Sequence, residues 1–501
     1  MPETISLSLI SHTNVGKTAL ARTLLGRDIG EVRDAPHVTA SATRHAMVES
    51  AEGDVLYLWD TPGFGDSARL ARRLAELDNP ILRFLAMAWD RWRDRAWWSS
   101  QQAVRNVRDD ADVVLYLVNA SESPADAGYI APEMKILEWI GKPVVVLLNQ
   151  TGPPRAASEE AAEIARWRDA LGPRPAIGSV LSLDAFARCW IQESVLLREV
   201  EKTLPEGKRA AFARLAAAWH ATREAQFQDA MAAIAAPIAR AARERVALPD
   251  AGLRGSLFEV GKAIGFGRER VDGAKEAAMR TLSERLDADI RASTDRLIDI
   301  HHLDGRAAGE VTARLTRDVT TDSPVDARKA AVIGGFVSGA LTGLAADIAS
   351  GGLTFGAGLL AGGVAGALGG AGLARGFNLV RGKSESIVRW SDDFIATLVP
   401  AAVLRYLAVA HYGRGRGEWA ASEYPAFWRN VVAAVVERQG GVASIVALRN
   451  AGNDDAENFA HAWQARLADI SLVVLAELYP DAAAGALPAS RRSAENATRA
   501  C

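Results

Sequence analysis

Short apolar runs and helical periodicity alternate over the first 190 residues of the chain. Ile5 to Ile10, Val55-Leu-Tyr-Leu-Trp59, Asp112-Val-Val-Leu-Tyr-Leu-Val118 and Lys142-Pro-Val-Val-Val-Leu-Leu-Asn149 read as buried strands. Ala19 to Leu25 and Glu133 to Gly141 carry the spacing of helices. That alternation predicts an α/β domain with a doubly wound, mostly parallel sheet over residues 1–188. After it the pattern changes. Ala, Arg, Glu and Leu dominate from Cys189 to Asp318 with amphipathic spacing, so a helical domain is expected over 189–329. A helical C-terminal region is expected over 377–490, with Trp390, Tyr406, Tyr412, Trp419 and Trp428 for packing or an interfacial belt, followed by a polar tail over 491–501.

Between the two helical regions the pattern is neither strand nor amphipathic helix. Ala330 to Ala374 holds a single charge, Asp347, and divides into two arms about Ser350-Gly351-Gly352. Each arm approaches membrane-spanning length. Glycine recurs at every fourth position in Gly335, Gly339 and Gly343, and again in Gly358, Gly362, Gly366 and Gly370. That repeat makes a smooth face on which a second helix can lie close. Arg328, Lys329, Arg375, Arg381 and Lys383 flank both ends, which places both on the cytoplasmic side of a hairpin that enters and returns. A glycine-rich hydrophobic hairpin over 330–376, in contact with membrane lipid, is therefore expected. Its rival is a helical hairpin buried in protein, since Asp347 would cost about 2.5–3.5 kcal/mol at a bilayer centre.

Composition narrows the partners. The chain has 501 residues, a net charge of −3 and 49% hydrophobic residues, enough for two or three domains with their own cores. There is no global basic field, so no DNA is expected. Two cysteines, Cys189 and Cys501, lack metal-like spacing and fit a reducing compartment. The first strand begins without a charged leader, so no signal peptide is expected, and the chain is placed in the cytoplasm or on the cytoplasmic face of a membrane. His301-His302 with Asp304 reads as a solvated helical face rather than a metal site. Leu82 to Arg108 is dense in tryptophan and arginine, among them Trp89, Trp92, Trp97 and Trp98. It reads either as a helix packed on the second domain or as a contact surface that senses the nucleotide state.

The chemistry lies at the ends of the first strands. Ser11-His-Thr13-Asn14-Val15-Gly16-Lys17-Thr18 joins the first strand to the first helix, matching Gly-x-x-x-x-Gly-Lys-Thr except that Ser11 replaces the first glycine. Backbone N–H groups from Ser11 to Ala19 would converge on phosphates at a helix N-terminus. Lys17 would reach the β- and γ-phosphates, and Thr18 would complete a magnesium shell. The third strand ends in Asp60-Thr61-Pro62-Gly63. Asp60 would hold magnesium through water, and the Gly63 N–H would meet the γ-phosphate and release it on hydrolysis.

With these two motifs the chain resembles the P-loop GTPases of the TrmE, Era and septin class, over roughly its first 190 residues. The resemblance implies GTP and GDP as ligands, magnesium as cofactor, and a switch I threonine between the motifs. Thr43, in Thr43-Arg44-His45, and Thr39 are both candidates for that threonine. It also implies a potassium site at Asn14 and a homodimer formed through the GTPase domain. Two departures matter. Phe64 stands where many small GTPases orient the attacking water, so intrinsic hydrolysis should be slow. The guanine signature Asn-Lys-x-Asp is here Asn149-Gln150-Thr151-Gly152. Base reading is left to Asn149 and Gln150, to another acid such as Asp184, or to backbone near Ser179 to Ser182, and ATP stays open as a competitor. The order of GTPase domain, helical region and glycine-rich hairpin resembles a bacterial GTPase family whose C-terminal half is a domain of unknown function. The expectation is a membrane-associated GTPase switch; the alternative is a membrane scaffold or assembly protein that binds nucleotide as a regulatory ligand with negligible turnover.

Overall fold

The computed structural model describes residues 2–29, 42–76, 95–152, 154–185, 189–248, 266–303, 377–381, 386–412, 426–451 and 455–480. The hairpin expected over 330–376, the candidate Thr39, the tryptophans Trp89, Trp92 and Trp419, and the polar tail lie outside these residues. The chain divides into two compact units. One comprises Met1–Ala225, Ala410–Pro425 and Leu475–Cys501, and the other Gln226–Val409 and Ala426–Val474.

The first unit is built on a six-stranded sheet in the order β2-β3-β1-β4-β5-β6. Its strands are β1 (Thr4–Ser11), β2 (Thr43–Glu49), β3 (Val55–Asp60), β4 (Val113–Asn119), β5 (Val144–Asn149) and β6 (Ile177–Ser182). All neighbours run parallel except β2, which pairs antiparallel with β3. The two-residue period of the strands sorts their side chains onto two faces. Ile5, Leu7, Leu9, Leu56, Leu58, Leu115 and Leu117 bury one face with Leu20 and Leu24 of helix α1 (Lys17–Leu25). Ile10, Val114, Tyr116, Val118, Val146 and Leu148 bury the other. Covering helices in this unit are α2 (Ser67–Glu76), α3 (Arg95–Asp110), α4 (Ile130–Ile140), α5 (Ala157–Leu171), α6 (Trp190–Thr203) and the first part of α7 (Glu206–Arg243). The described side chains Ala103, Val104 and Val107 of α3 pack into the second face of this same sheet. That part of the tryptophan- and arginine-rich stretch is thus a covering helix of its own domain.

The second unit is helical, with one addition that the helical spacing did not announce. A small antiparallel sheet, in the order β7-β9-β8, is formed by β7 (Val246–Leu248), β8 (Phe377–Arg381) and β9 (Ser386–Trp390). Its helices include the C-terminal part of α7, α8 (Phe266–Ile300), α9 (Asp392–Ala410), α10 (Ala426–Arg438), α11 (Gly441–Asn450) and most of α12 (Ala456–Leu478). Trp390, Trp428, Trp463 and Tyr406 are fully buried, so these aromatics serve packing. Helix α9 is, among the described residues, the single helix long and apolar enough to cross a membrane, and 67% of that span is buried within the protein. The bent pair Phe427–Arg438 and Gly441–Asn450, at 61°, passes the same length and composition test only when taken together. On α9 the Arg405 guanidinium donates to the Ile290 carbonyl, to Thr294 and to Ser293, which fits a core helix. His301 and His302 fall in the turn after α8, not on a helix, and His302 has φ +53. Among the described residues no group of three His, Cys, Asp or Glu side chains could hold a metal ion.

Candidate functional site: a phosphate loop locked to the second switch

The loop after β1 turns through two left-handed residues, Asn14 (φ 65) and Gly16 (φ 94). Glycine is needed at position 16 for a second reason. A Cβ there would lie 2.7 Å from the Asn149 amide nitrogen. Gly16 also occupies the N-cap of α1 with no side-chain cap hydrogen bond. Uncapped N–H groups at the positive end of a helix, beside alternating left-handed backbone, form an anion cradle. Val15 and Ala19 hold it from beneath as members of the core.

Lys17 is nearly buried at the centre of this loop. Its ammonium donates to Ser11 Oγ at 3.0 Å and to the His12 carbonyl at 3.3 Å. Ser11, in place of the customary glycine, therefore supplies an acceptor that glycine would lack. Burial lowers the Lys17 pKa to about 8, opposed by the nearby carboxylates of Asp60 and Glu133. Thr18 Oγ1 donates to Asp60 Oδ2 at 2.7 Å. The other oxygen, Asp60 Oδ1, is buried and has no hydrogen-bond partner among the described residues. Burial raises the Asp60 pKa, against the opposing Thr18 hydrogen bond and Lys17 charge. A hydroxyl, a carboxylate with an unsatisfied oxygen and an adjacent anion cradle are a donor set that suits magnesium.

The Asp60-Thr-Pro-Gly63 turn is fastened directly to the loop. Thr61 Oγ1 donates to the Leu9 carbonyl at 2.5 Å, and the Phe64 N–H donates to the Ser11 carbonyl at 2.8 Å. Phe64 is fully buried in the core. A Cβ on Gly63 would meet Lys17 Nζ at 2.7 Å, Thr13 Cα at 3.1 Å and the His12 carbonyl at 3.2 Å, so no other residue fits without displacement. Thr43 stands opposite Asp60 in the β2–β3 ladder and is exposed, with its hydroxyl 3.1 Å from His45 Nε2.

Asn149, expected as a base contact, ties the base-side loop to the phosphate loop. Its amide donates to the Val15 carbonyl at 2.6 Å and accepts from the Ala185 N–H at 2.8 Å. Gln150, with φ 59, donates to the Asn14 carbonyl at 3.4 Å. Asp184 is buried and accepts from the backbone N–H and hydroxyl of Thr151, at 2.6 and 2.9 Å. It thereby holds the loop in which the usual aspartate is replaced by Gly152.

Sequence reasoning passed over Glu133. This residue lies in the first turn of α4, fully buried, and contacts His12 of the phosphate loop and Tyr116 of β4. The available signal was its position. Glu133 shares an i, i+3, i+4, i+7 stripe with Ile136, Leu137 and Ile140, a place where a carboxylate is out of character.

The fold and this constellation define a P-loop GTPase domain. Residues 6–150 match the family described as 50S ribosome-binding GTPase. Residues 173–439 match DUF3482, a domain of unknown function, and since that match spans more than half of the chain, the protein belongs to the DUF3482 family. No curated protein matches the chain. Among solved structures it is similar to an Era variant from Aquifex aeolicus bound to GDP and aluminium fluoride, at 18% identity and a TM-score of 0.30. A second Era structure, in complex with MgGDPNP and a segment of 16S ribosomal RNA, gives the same identity and TM-score. Both matches cover 41% of this chain and 58% of the other. A variant of SsGBP matches at 17% identity and a TM-score of 0.23, over 43% of this chain and 57% of its own. The chain thus spans less than two thirds of the length of each of these proteins.

Proposed function

We propose that the protein hydrolyses GTP to GDP and phosphate, and that it works as a slow molecular switch at the cytoplasmic face of a membrane. The observation that carries this reading is the 2.7 Å contact between Thr18 and Asp60 beside the uncapped, left-handed loop and the buried Lys17. In this reading the backbone of Ser11, Thr13, Asn14, Val15, Gly16 and Ala19 cradles the phosphates, and Lys17 balances charge on the β- and γ-oxygens. Thr18 and Asp60 are the residues that would hold magnesium, with Thr39 or Thr43 joining them from switch I. Magnesium bound there supplies charge neutralisation of the phosphate oxygens. The Gly63 N–H would meet the γ-phosphate, and hydrolysis would remove that contact from the turn.

Phe64 offers no group to orient water, and its burial keeps it from doing so indirectly. Acceleration is therefore assigned to potassium held at Asn14 or to pairing of two GTPase domains, either of which adds charge stabilisation or order at the transition state. The test is phosphate release by the purified chain in potassium and sodium buffers over a range of protein concentrations. Equal rates throughout would contradict the assignment. Guanine preference rests on the Asn149 and Gln150 loop, and competition of labelled GTP by unlabelled ATP and GTP measures it.

Membrane association is assigned to residues 330–374. The same Phe64 burial favours one second reading, a membrane scaffold whose nucleotide is a regulatory ligand. Phosphate release with and without lipid vesicles separates the two, since the scaffold gives no turnover under either condition.

A further inference from the structure

Glu133 sits where an apolar residue would be expected. Burial of a carboxylate costs several kcal/mol unless its oxygens are well partnered, and removal of one member of a buried polar cluster leaves the others unpaired. Its two oxygens are both used: Oε1 lies 2.8 Å from His12 Nδ1, and Oε2 accepts from the Tyr116 hydroxyl at 2.7 Å. The His12 ring is held on its flat side by Tyr129, stacked at 4.6 Å between centroids and 15° between planes. Burial raises the Glu133 pKa, opposed by the hydrogen bonds from His12 and Tyr116.

What this anchorage fixes is the junction of the phosphate loop with the second switch. The His12 carbonyl accepts from Lys17 Nζ, and His12 pairs with Phe64 in an isolated parallel bridge. The Ser11 carbonyl holds the Phe64 N–H, and Gly63 packs against His12, Thr13 and Lys17 with no room for a Cβ. Within this group Gly63 is assigned to the γ-phosphate alone, and Lys17 to the β- and γ-phosphates together. The N–H groups of the α1 first turn, assigned to the remaining phosphates, do not run through His12.

We infer that Glu133 is a positioning residue for triphosphate hydrolysis. It acts through His12 to hold the Ser11–His12 peptide, and with it Lys17 and Gly63, in register with the γ-phosphate. The inference rests on the GTPase reading above and gives Glu133 and His12 a part in hydrolysis and in telling triphosphate from diphosphate.

The experiment uses the full chain and its Glu133→Leu, Glu133→Gln, Tyr116→Phe and His12→Ala variants, plus the Glu133→Leu/His12→Ala double variant. Affinities for fluorescent GDP and for a non-hydrolysable GTP analogue are measured with magnesium, together with single-turnover hydrolysis. Misplacement of the junction in Glu133→Leu should slow hydrolysis about ten- to a hundredfold. The GTP analogue should weaken with it, and by more than GDP, because Gly63 is assigned to the γ-phosphate alone while Lys17 also serves the β-phosphate that GDP keeps. Glu133→Gln keeps one acceptor oxygen and bonds the second partner only if that partner turns to accept from its NH2, so hydrolysis should fall between the parent and Glu133→Leu. The double variant should fall no further than the worse single one, since both changes break one connection. Parent-like hydrolysis in Glu133→Leu, or equal loss of GDP and GTP-analogue binding, would overturn the inference. If Glu133→Leu does not fold, His12→Ala breaks the same connection from the other side, and an unchanged GTP-analogue to GDP ratio there overturns it. A parent chain that binds GDP and the GTP analogue but releases no phosphate from GTP defeats the GTPase reading separately, leaving the affinity ratio to decide the role of Glu133.

Discussion

Replacing Asn149 with alanine removes a fully buried amide that bridges two loops. In the parent it satisfies the Val15 carbonyl at 2.6 Å and the Ala185 N–H at 2.8 Å. Each buried backbone group left unpaired costs about 1–3 kcal/mol, so the substitution should destabilise the first unit by about 2–6 kcal/mol. For a unit of this size that corresponds to a fall of about 5–20 °C in melting temperature. The loss has a second face. Val15 belongs to the phosphate loop, so nucleotide should bind more weakly in proportion to the freedom that loop gains. Thermal melting followed by circular dichroism, with and without GTP and magnesium, reads both effects. A melting temperature within about 2 °C of the parent, together with unchanged nucleotide affinity, would refute the claim that Asn149 bolts the base-side loop to the cradle.

The Gly63→Ala change places a methyl group 2.7 Å from Lys17 Nζ and 3.1 Å from Thr13 Cα. Single-turnover hydrolysis should fall about tenfold or more, a barrier increase of about 1.4 kcal/mol per decade, and parent-like turnover would show that the turn has slack. Asp54 is held well below the usual carboxylate range by the Arg214 guanidinium first, then by the Glu3 N–H, with Ser50 adding a further bond. A depressed folded pKa means that its stabilisation is complete above the unfolded value, about 3.9, and is lost as pH falls below it toward the folded value. Urea unfolding of Asp54→Asn should therefore show lower stability than the parent at pH 7 and a gap that narrows in strong acid; an unchanged gap would count against it. For the membrane assignment, carbonate-washed membranes should retain the full chain and release a chain deleted for residues 330–374, and identical fractionation of the two would remove the assignment.

The nucleotide domain was legible because its signals are local. A buried strand feeding Gly16-Lys17-Thr18, and another ending at Asp60, fix the sheet and the loop before any long-range contact is known. The replacement of glycine by Ser11 reads as a defect in the motif, yet the folded chain makes it an acceptor for Lys17. That gain depends on a side-chain direction that the motif does not encode. Asn149 reads as a base contact because its motif names it so, while its partners Val15 and Ala185 lie 134 and 36 residues away. Glu133 was hidden for the same reason, since His12 lies 121 residues upstream of it. The small β7-β9-β8 sheet escaped because its strands are three to five residues long and β7 joins partners more than a hundred residues distant. Runs that short do not establish a period.

GTP with magnesium is expected to occupy the cradle closed by Lys17, Thr18 and Asp60. Titration calorimetry of the intact chain measures this directly. Heat should saturate with GTP and magnesium, be displaced poorly by ATP, and be lost in Lys17→Ala. Absence of heat with either purine triphosphate, or equal heat from the Lys17→Ala chain, would contradict it.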